Sequence, residues 1–481
     1  MRKAIIGILG ILTVVFLYLL FSKENGIQLI PIEKIKKTDA KIDWNKDNEE
    51  AVKVLQKLLQ IKTVRSNEIE AVLYLKEILE KENIPVKIIQ HPDDPTKATL
   101  VAELEGSEKE GGIILANHLD VVEANGSEWK SPPFSGEIIG DRIYGRGAID
   151  MKGMAVIELF AFIHIKRAGI PLKRKLMYLA FPDEETSSNF GAKFIVKNHR
   201  EIFKGYEYAI NEGGIGSKDV AVKGSKFFNL QYAEKGVLWV KAIAKGNSGH
   251  GSTPPENYAS LDLIRFLEEV QEMETGVTIT DETAMFFYQM GEVLPFPQSF
   301  IIKRSRNPIS KAILGGVIKS NRHLKAMTMN TRSITSLQTE KAGSNVITGT
   351  AEAVMDIRLL PGVKPGDYLA KLKVLADKKN IELTTFMEEE ASVSPVNSEF
   401  FQILGGVASA NSEGAIVTPF MSPGATDSNY LRGIGLKCYG LIPVIVESED
   451  IDGIHGKNEN ISIGNLLMGT KILFETIYNM N

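Results

Sequence analysis

Three apolar runs of strand length end on residues able to ligate a metal or carry a proton, and this constrains the fold most. Gly112-Ile-Ile-Leu-Ala-Asn117 runs into His118-Leu-Asp120, Lys175-Leu-Met-Tyr-Leu-Ala-Phe181 into Asp183-Glu184-Glu185, and Tyr208-Ala-Ile210 into Asn211-Glu-Gly-Gly214. The middle of such a run has no polar face, as expected of strands covered by helices on both sides. Helical spacing fills the intervals, at Met154 to Ala168 and Gly191 to Lys197. An α/β domain with a mostly parallel sheet is the reading. Ligands of such sheets collect at the carboxyl ends of the strands, where these residues fall.

At 481 residues the chain is too long for one core. Near Phe228 the texture changes to an alternating strand, Gly236 to Ala244, an amphipathic helix, Ser260 to Met273, and a second set: strand Thr348 to Arg358, helix Pro365 to Asp377, strand Ile381 to Phe386. This reads as a smaller α/β sandwich inserted into the first domain. The expected division is a linker at 26–44, a catalytic unit from 45–227 and 393–481, and an inserted lid at 228–392. Within the insert, Thr278 to Lys341 reads as an irregular excursion with scattered apolar clusters, a candidate pocket wall or stand-in for a partner's lid.

Ala4 to Phe21 is an uncharged run of eighteen residues behind Arg2 and Lys3, long enough to approach a bilayer span. No small-residue cleavage site follows it. Residues 1–25 are therefore read as a single N-terminal transmembrane helix with the catalytic domain outside the cytoplasm. A cleaved signal peptide and secretion are the alternative. The only cysteine, Cys438, excludes an internal disulfide framework and a cysteine-rich zinc module. A net charge of -4 gives no reason to expect a nucleic-acid partner.

Asp150 sits among three glycines in Gly145-Arg-Gly-Ala-Ile-Asp-Met-Lys-Gly153, and Ile454-His-Gly456 lies in a loop before the last helix. Each feature has an ordinary explanation alone: a tight strand-to-helix turn, a surface His-x-Asp pair, a solvated acidic turn. Together, His118, Asp150, one of the pair Glu184 and Glu185, Glu212 and His455 form a cysteine-free His and carboxylate set suited to zinc or a related divalent ion. Five ligands sharing one carboxylate fit two metals about 3.5–4 Å apart. The run Asp183 to Glu185, three like charges closing a buried strand, also calls for a cation or proton.

The ordered motifs N117-H-L-D-V121, G145-R-G-A-I-D-M-K-G153, D183-E-E185, N211-E-G-G214, G249-H-G251 and I454-H-G456 resemble those of the M20 metallopeptidases. The likeness is to the carboxypeptidase S and N-acyl-amino-acid hydrolase branch, related to the aminoacylases. It implies a di-zinc exopeptidase-type catalytic domain with an inserted lid. His118, Asp150 and Glu212 would hold one zinc and Asp150, Glu185 and His455 the other, with Co2+ or Mn2+ as other candidate ions. Asp120 would orient His118, and Glu184 would be the general base. A non-proline cis peptide is expected at Asp150–Met151. His250 in the lid would meet the oxyanion. Asn345 and Arg358 would recognise a carboxylate, and Gly424 would shape the substrate pocket. The lid also raises a homodimer.

The resemblance implies a hydrolase cleaving an amide bond next to an amino acid with a free carboxylate, in a small peptide or an N-acyl amino acid. A membrane-anchored, non-catalytic binding protein of the same fold is the rival, and no ligand is missing to favour it. A serine hydrolase built on His118 and Asp120 would need a G-x-S-x-G elbow, which the chain lacks.

Overall fold

The computed structural model describes residues 26–38, 40–273 and 275–481. Expected helix 1–25 lies outside the described residues, and among those described no helix is long and apolar enough to cross a membrane.

A nine-stranded sheet forms the larger unit. Its centre is parallel: Leu176–Phe181, Gly112–His118, Tyr206–Lys218 and Lys437–Val446 lie side by side in that order. Its margins are antiparallel, with Ala98–Leu104 and Val86–Gln90 on one side and Lys226–Glu234 and Ser392–Val393 on the other. Ile416–Ser422 returns parallel to Lys226–Glu234. The sheet is thus mixed where a mostly parallel one was expected. The parallel part coincides with the apolar runs. Short connections, which antiparallel pairs allow, join only Val86–Gln90 to Ala98–Leu104 and Tyr206–Lys218 to Lys226–Glu234. The other antiparallel pairs bring together segments far apart in the chain.

Helix Lys152–Arg167 has fourteen buried residues and lies against the final helix, Ile463–Asn479. A helix apolar on every side must be covered on every side, and this one forms the floor under the parallel strands.

The chain passes into a four-stranded antiparallel sheet in the order Thr331–Thr339, Thr350–Leu359, Gly236–Lys245, Ile381–Glu389, backed by helices Ala259–Glu272 and Pro365–Asp377. The change of texture at Phe228 falls inside Lys226–Glu234, a strand of the large sheet, so the crossing occurs at Lys235 rather than at 227–228. The excursion is more ordered than its sequence suggests. It holds helices Asp281–Gly291, Gln298–Ile302, Pro308–Ser320 and Arg322–Thr328, three of them capped by Thr280, Asn307 and Asn321. These helices bury their own small cluster around Phe286, Phe287, Ile318 and Met327, with Phe420 of the large unit against it.

Candidate metal centre

Register brings the site together. His118 is paired with Phe181 on the neighbouring parallel strand, so both chains leave the sheet at the same edge and Glu184 and Glu185 turn back beside the imidazole. Glu212 differs from expectation. It lies within the long strand Tyr206–Lys218 rather than past a strand end, because Gly213 and Gly214 let Gln231 and the Asn229 carbonyl approach instead of breaking the strand. His455 stands in the loop after helix Ser448–Gly453 with φ +56°, half exposed at the mouth of the site. The Asp150–Met151 peptide is cis.

Two groups of candidate ligands share Asp150. His118 Nε2 lies 3.3 Å from Asp150 Oδ1 and 3.6 Å from Glu212 Oε1. His455 Nε2 lies 3.1 Å from Asp150 Oδ2 and 3.0 Å from Glu185 Oε1. His118 Nε2 and Asp150 Oδ1 are buried without a hydrogen-bond partner. A buried ring nitrogen and a buried carboxylate oxygen facing one another in this way are costly unless a cation joins them. The donor set therefore fits a divalent metal, and ligand atoms of Glu184 and Glu185 also come within 4.8 Å in overlapping triads with His118.

The tautomer is set from behind. His118 Nδ1 lies 3.0 Å from the Asp120 main-chain oxygen and 3.5 Å from its carboxylate. The carbonyl is thus the nearer acceptor for Nδ1–H, leaving Nε2 free to ligate. The Asp120 carboxylate instead accepts from the main-chain N–H groups of Glu184 at 3.0 Å and Glu185 at 2.9 Å. It fixes the turn that carries both glutamates.

Charge crowding appears in the proton affinities. Burial, then Glu212, raises the Glu184 carboxyl well above the carboxylate range. Burial, then Asp150, pushes Glu212 up to about 8. Hydrogen bonds to Asp150 and then Glu185 raise His455 to about 10. Burial alone would depress His118, but Glu212, Asp120 and Asp150 together lift it well above its ordinary value. The pocket holds more negative charge than its surroundings satisfy, which a metal would relieve.

Arg358 and Gly424 line one cleft of about 300 Å³ with Glu184, Glu185, Trp239 and Tyr430. Asp356 accepts from the Arg358 guanidinium through Nε at 2.7 Å and Nη2 at 3.1 Å, so one edge of the fork is held. His250 and Asn345 are not brought to that cleft. They face each other across a separate two-stranded ribbon, Nε2 to Nδ2 3.4 Å, with His250 Nδ1 2.7 Å from Ser252 Oγ. No described residue of 278–341 lines the cleft either, because the excursion packs on strand Ile416–Ser422 at the sheet margin.

Glu459 escaped the sequence reading. Its buried carboxylate accepts from the main-chain N–H of Gly147 and Ile149 at 2.8 Å and of Asp150 at 2.9 Å, and from Arg146 Nη1 at 2.8 Å. The Gly145–Gly153 loop is thus wrapped around one carboxylate. Its only local signal is the neighbouring His455, since Lys457 to Asn460 reads as a polar turn.

The description "Peptidase family M20/M25/M40" matches residues 114–479. Human N-fatty-acyl-amino acid synthase/hydrolase PM20D1 is 27% identical over 388 residues, 76% of this chain and 73% of that protein. Probable carboxypeptidase S-like 1 of Dictyostelium discoideum is 30% identical over 381 residues, 76% and 72% respectively. Among solved structures, the M20 family metallo-carboxypeptidase Sso-CP2 of Sulfolobus solfataricus superposes with a TM-score of 0.69 at 23% identity, covering 90% of this chain and 99% of that one. Bacillus subtilis YXEP, a dinuclear metal binding peptidase, gives 0.55 at 14% identity, covering 90% and 98%. At these identities the two structures speak for the fold.

Proposed function

The chain belongs to peptidase family M20/M25/M40, and from that premise we propose a two-zinc hydrolase acting on substrates with a free α-carboxylate. It is a metal-dependent amidohydrolase with relatives among carboxypeptidases and N-acyl amino acid hydrolases. The observation that carries the finer reading is the shared carboxylate: Asp150 offers Oδ1 to His118 and Oδ2 to His455.

In this reading His118, Asp150 and Glu212 would hold one ion and Asp150, Glu185 and His455 the other. When bound, the ions supply Lewis-acid activation of a water and of the scissile carbonyl. Glu184 takes a proton from the attacking water and returns it to the departing amine nitrogen, a role favoured by its burial and high proton affinity. Arg358, braced by Asp356 and lying over Trp239, binds the substrate carboxylate, and Gly424 shapes the pocket beside it. His250 and Asn345 ride on the inserted unit and complete the site by approach of the lid, His250 donating to the developing oxyanion.

The wider assignment is also ours. Residues 45–227 and 393–481 form the catalytic unit and 228–392 the lid, subject to the crossing at Lys235. The run Ala4 to Phe21 anchors the protein with its catalytic unit outside the cytoplasm. The open edge of strand Thr331–Thr339, with Leu337 exposed, is where two lids would pair.

The test is metal content together with hydrolysis of N-acyl amino acids and dipeptides, for wild type and Glu184→Gln. Two zinc ions per chain in both proteins, with activity lost only in the variant by about 10²–10⁴-fold, is the expected result. Protein that binds no metal and stays inactive with added zinc would return the chain to the binding-protein reading.

A further inference from the structure

The excursion that fails to line the cleft has an unusual surface. From Val293 to Thr339 there is no Asp or Glu, and eight Lys and Arg residues fall in that stretch of a chain whose net charge is -4. Among the described residues, no ion pair engages Lys311, Lys319, Arg322 or Lys325. Lys319, Arg322 and Lys325 edge one cavity of about 570 Å³, whose described lining has no acidic side chain.

Apolar groups face outward beside these cations. Helix Pro308–Ser320 turns Ser310 and Ile318 inward and leaves Ile313 and Val317 52% and 56% exposed, one turn apart on the solvent side. Ala312 and Gly316 extend that face. Phe296, in the proline-flanked loop before it, is 72% exposed. Water-facing helices normally place charge at these positions, and an apolar face rimmed by lysine and arginine is the pattern of a helix lying in a membrane interface.

The chain's own course says which surface covers it. Gly26 lies against the Tyr288 ring of helix Asp281–Gly291, and the Lys303 ammonium sits 5.1 Å from the same ring. The apolar run ending at Phe21 is five residues back, a reach of at most about 18 Å for any conformation. A membrane holding that run must therefore come close to the excursion.

We propose that the excursion is a lipid-docking surface: Phe296, Ile313 and Val317 enter the interface of an anionic bilayer, and Lys311, Lys319, Arg322 and Lys325 contact its phosphate headgroups. Nucleic acid would use the cations but leave the apolar face unexplained. The inference rests on the proposed membrane anchor but not on the metal centre, and would stand if the hydrolase reading failed.

The test uses the full chain in vesicles of phosphatidylcholine alone or mixed with phosphatidylglycerol. Its only cysteine, Cys438, is buried, so an environment-sensitive dye can be placed selectively at Val317→Cys. Leu73→Cys serves as control, on helix Glu68–Lys81 over the opposite margin of the large sheet. The Val317 dye is expected to shift to the blue and be quenched by lipid-borne nitroxide in anionic vesicles only, with the Leu73 dye unchanged. Each cation reversed to glutamate at Lys311, Lys319, Arg322 or Lys325 should weaken docking about fivefold or more, and raised salt should act likewise. A Val317 dye that stays aqueous on anionic vesicles overturns the proposal. So does shielding that persists in the fourfold charge reversal, or shielding without lipid that tracks dimer formation.

Discussion

Glu459 Oε1 accepts the main-chain N–H of Asp150 at 2.9 Å, so a carboxylate 309 residues further along the chain holds the residue shared by both ligand groups. The other oxygen takes Arg146 and Gly147. Replacing Glu459 by Ala leaves a buried guanidinium and three main-chain donors without their acceptor. We expect about 3–5 kcal/mol lost in denaturant unfolding, together with reduced metal content. A variant that unfolds at the wild-type midpoint with two metals bound would show that the loop holds itself.

Carboxylate recognition through Arg358 has a signature beyond lost activity. Arg358→Lys removes the planar fork that Asp356 braces. We expect kcat/KM on an N-acyl amino acid to fall about 10–100-fold, in line with a charged hydrogen bond of about 1.5–3 kcal/mol. The same substrate with its carboxylate amidated should be cleaved equally slowly by both proteins. Undiminished preference for the free acid in the variant would place recognition elsewhere.

Metal removal should make stability depend on pH in a definite direction. Without metal, His455 is held protonated to about 10 by Asp150 and Glu185. That contribution is complete below the unfolded value of 6.5 and is lost as pH rises through 10. Glu212, raised to about 8 by burial and Asp150, acts the same way, because its ionisation costs more in the folded chain between 4.5 and 8. The apo protein should therefore melt progressively lower from pH 7 to 10. Metal displaces the His455 proton, so its binding should release protons and tighten over the same range. An apo melting temperature that climbs with pH across this window would contradict the reading.

Gly213, next to Glu212, has φ +130°, and a Cβ there would meet Gln231 Oε1 at 1.8 Å. Gly213→Ala should cost about 1–3 kcal/mol in denaturant unfolding and displace Glu212. Calorimetric titration should then show one metal site weakened more than the other. Equal affinity at both sites would show that the strand absorbs the change.

The sequence by itself determined the α/β class and marked out the candidate ligand residues. Buried strands need uninterrupted apolar runs, and polar residues at their carboxyl ends stand out against them, as His118 and Glu184 do. Helices with a one-sided stripe, such as Ala259–Glu272, were legible for the same reason. What only the tertiary structure decided rests on contacts between distant segments, which leave no periodic trace. Glu459 reads as a polar turn until the Gly145–Gly153 loop, some three hundred residues earlier, folds around it. The mixed sheet likewise depends on Lys226–Glu234 pairing with Lys437–Val446 rather than opening the lid, a choice made by burial against the large core. Local pattern records which face of an element is buried; its partner is set by packing between segments far apart in the chain.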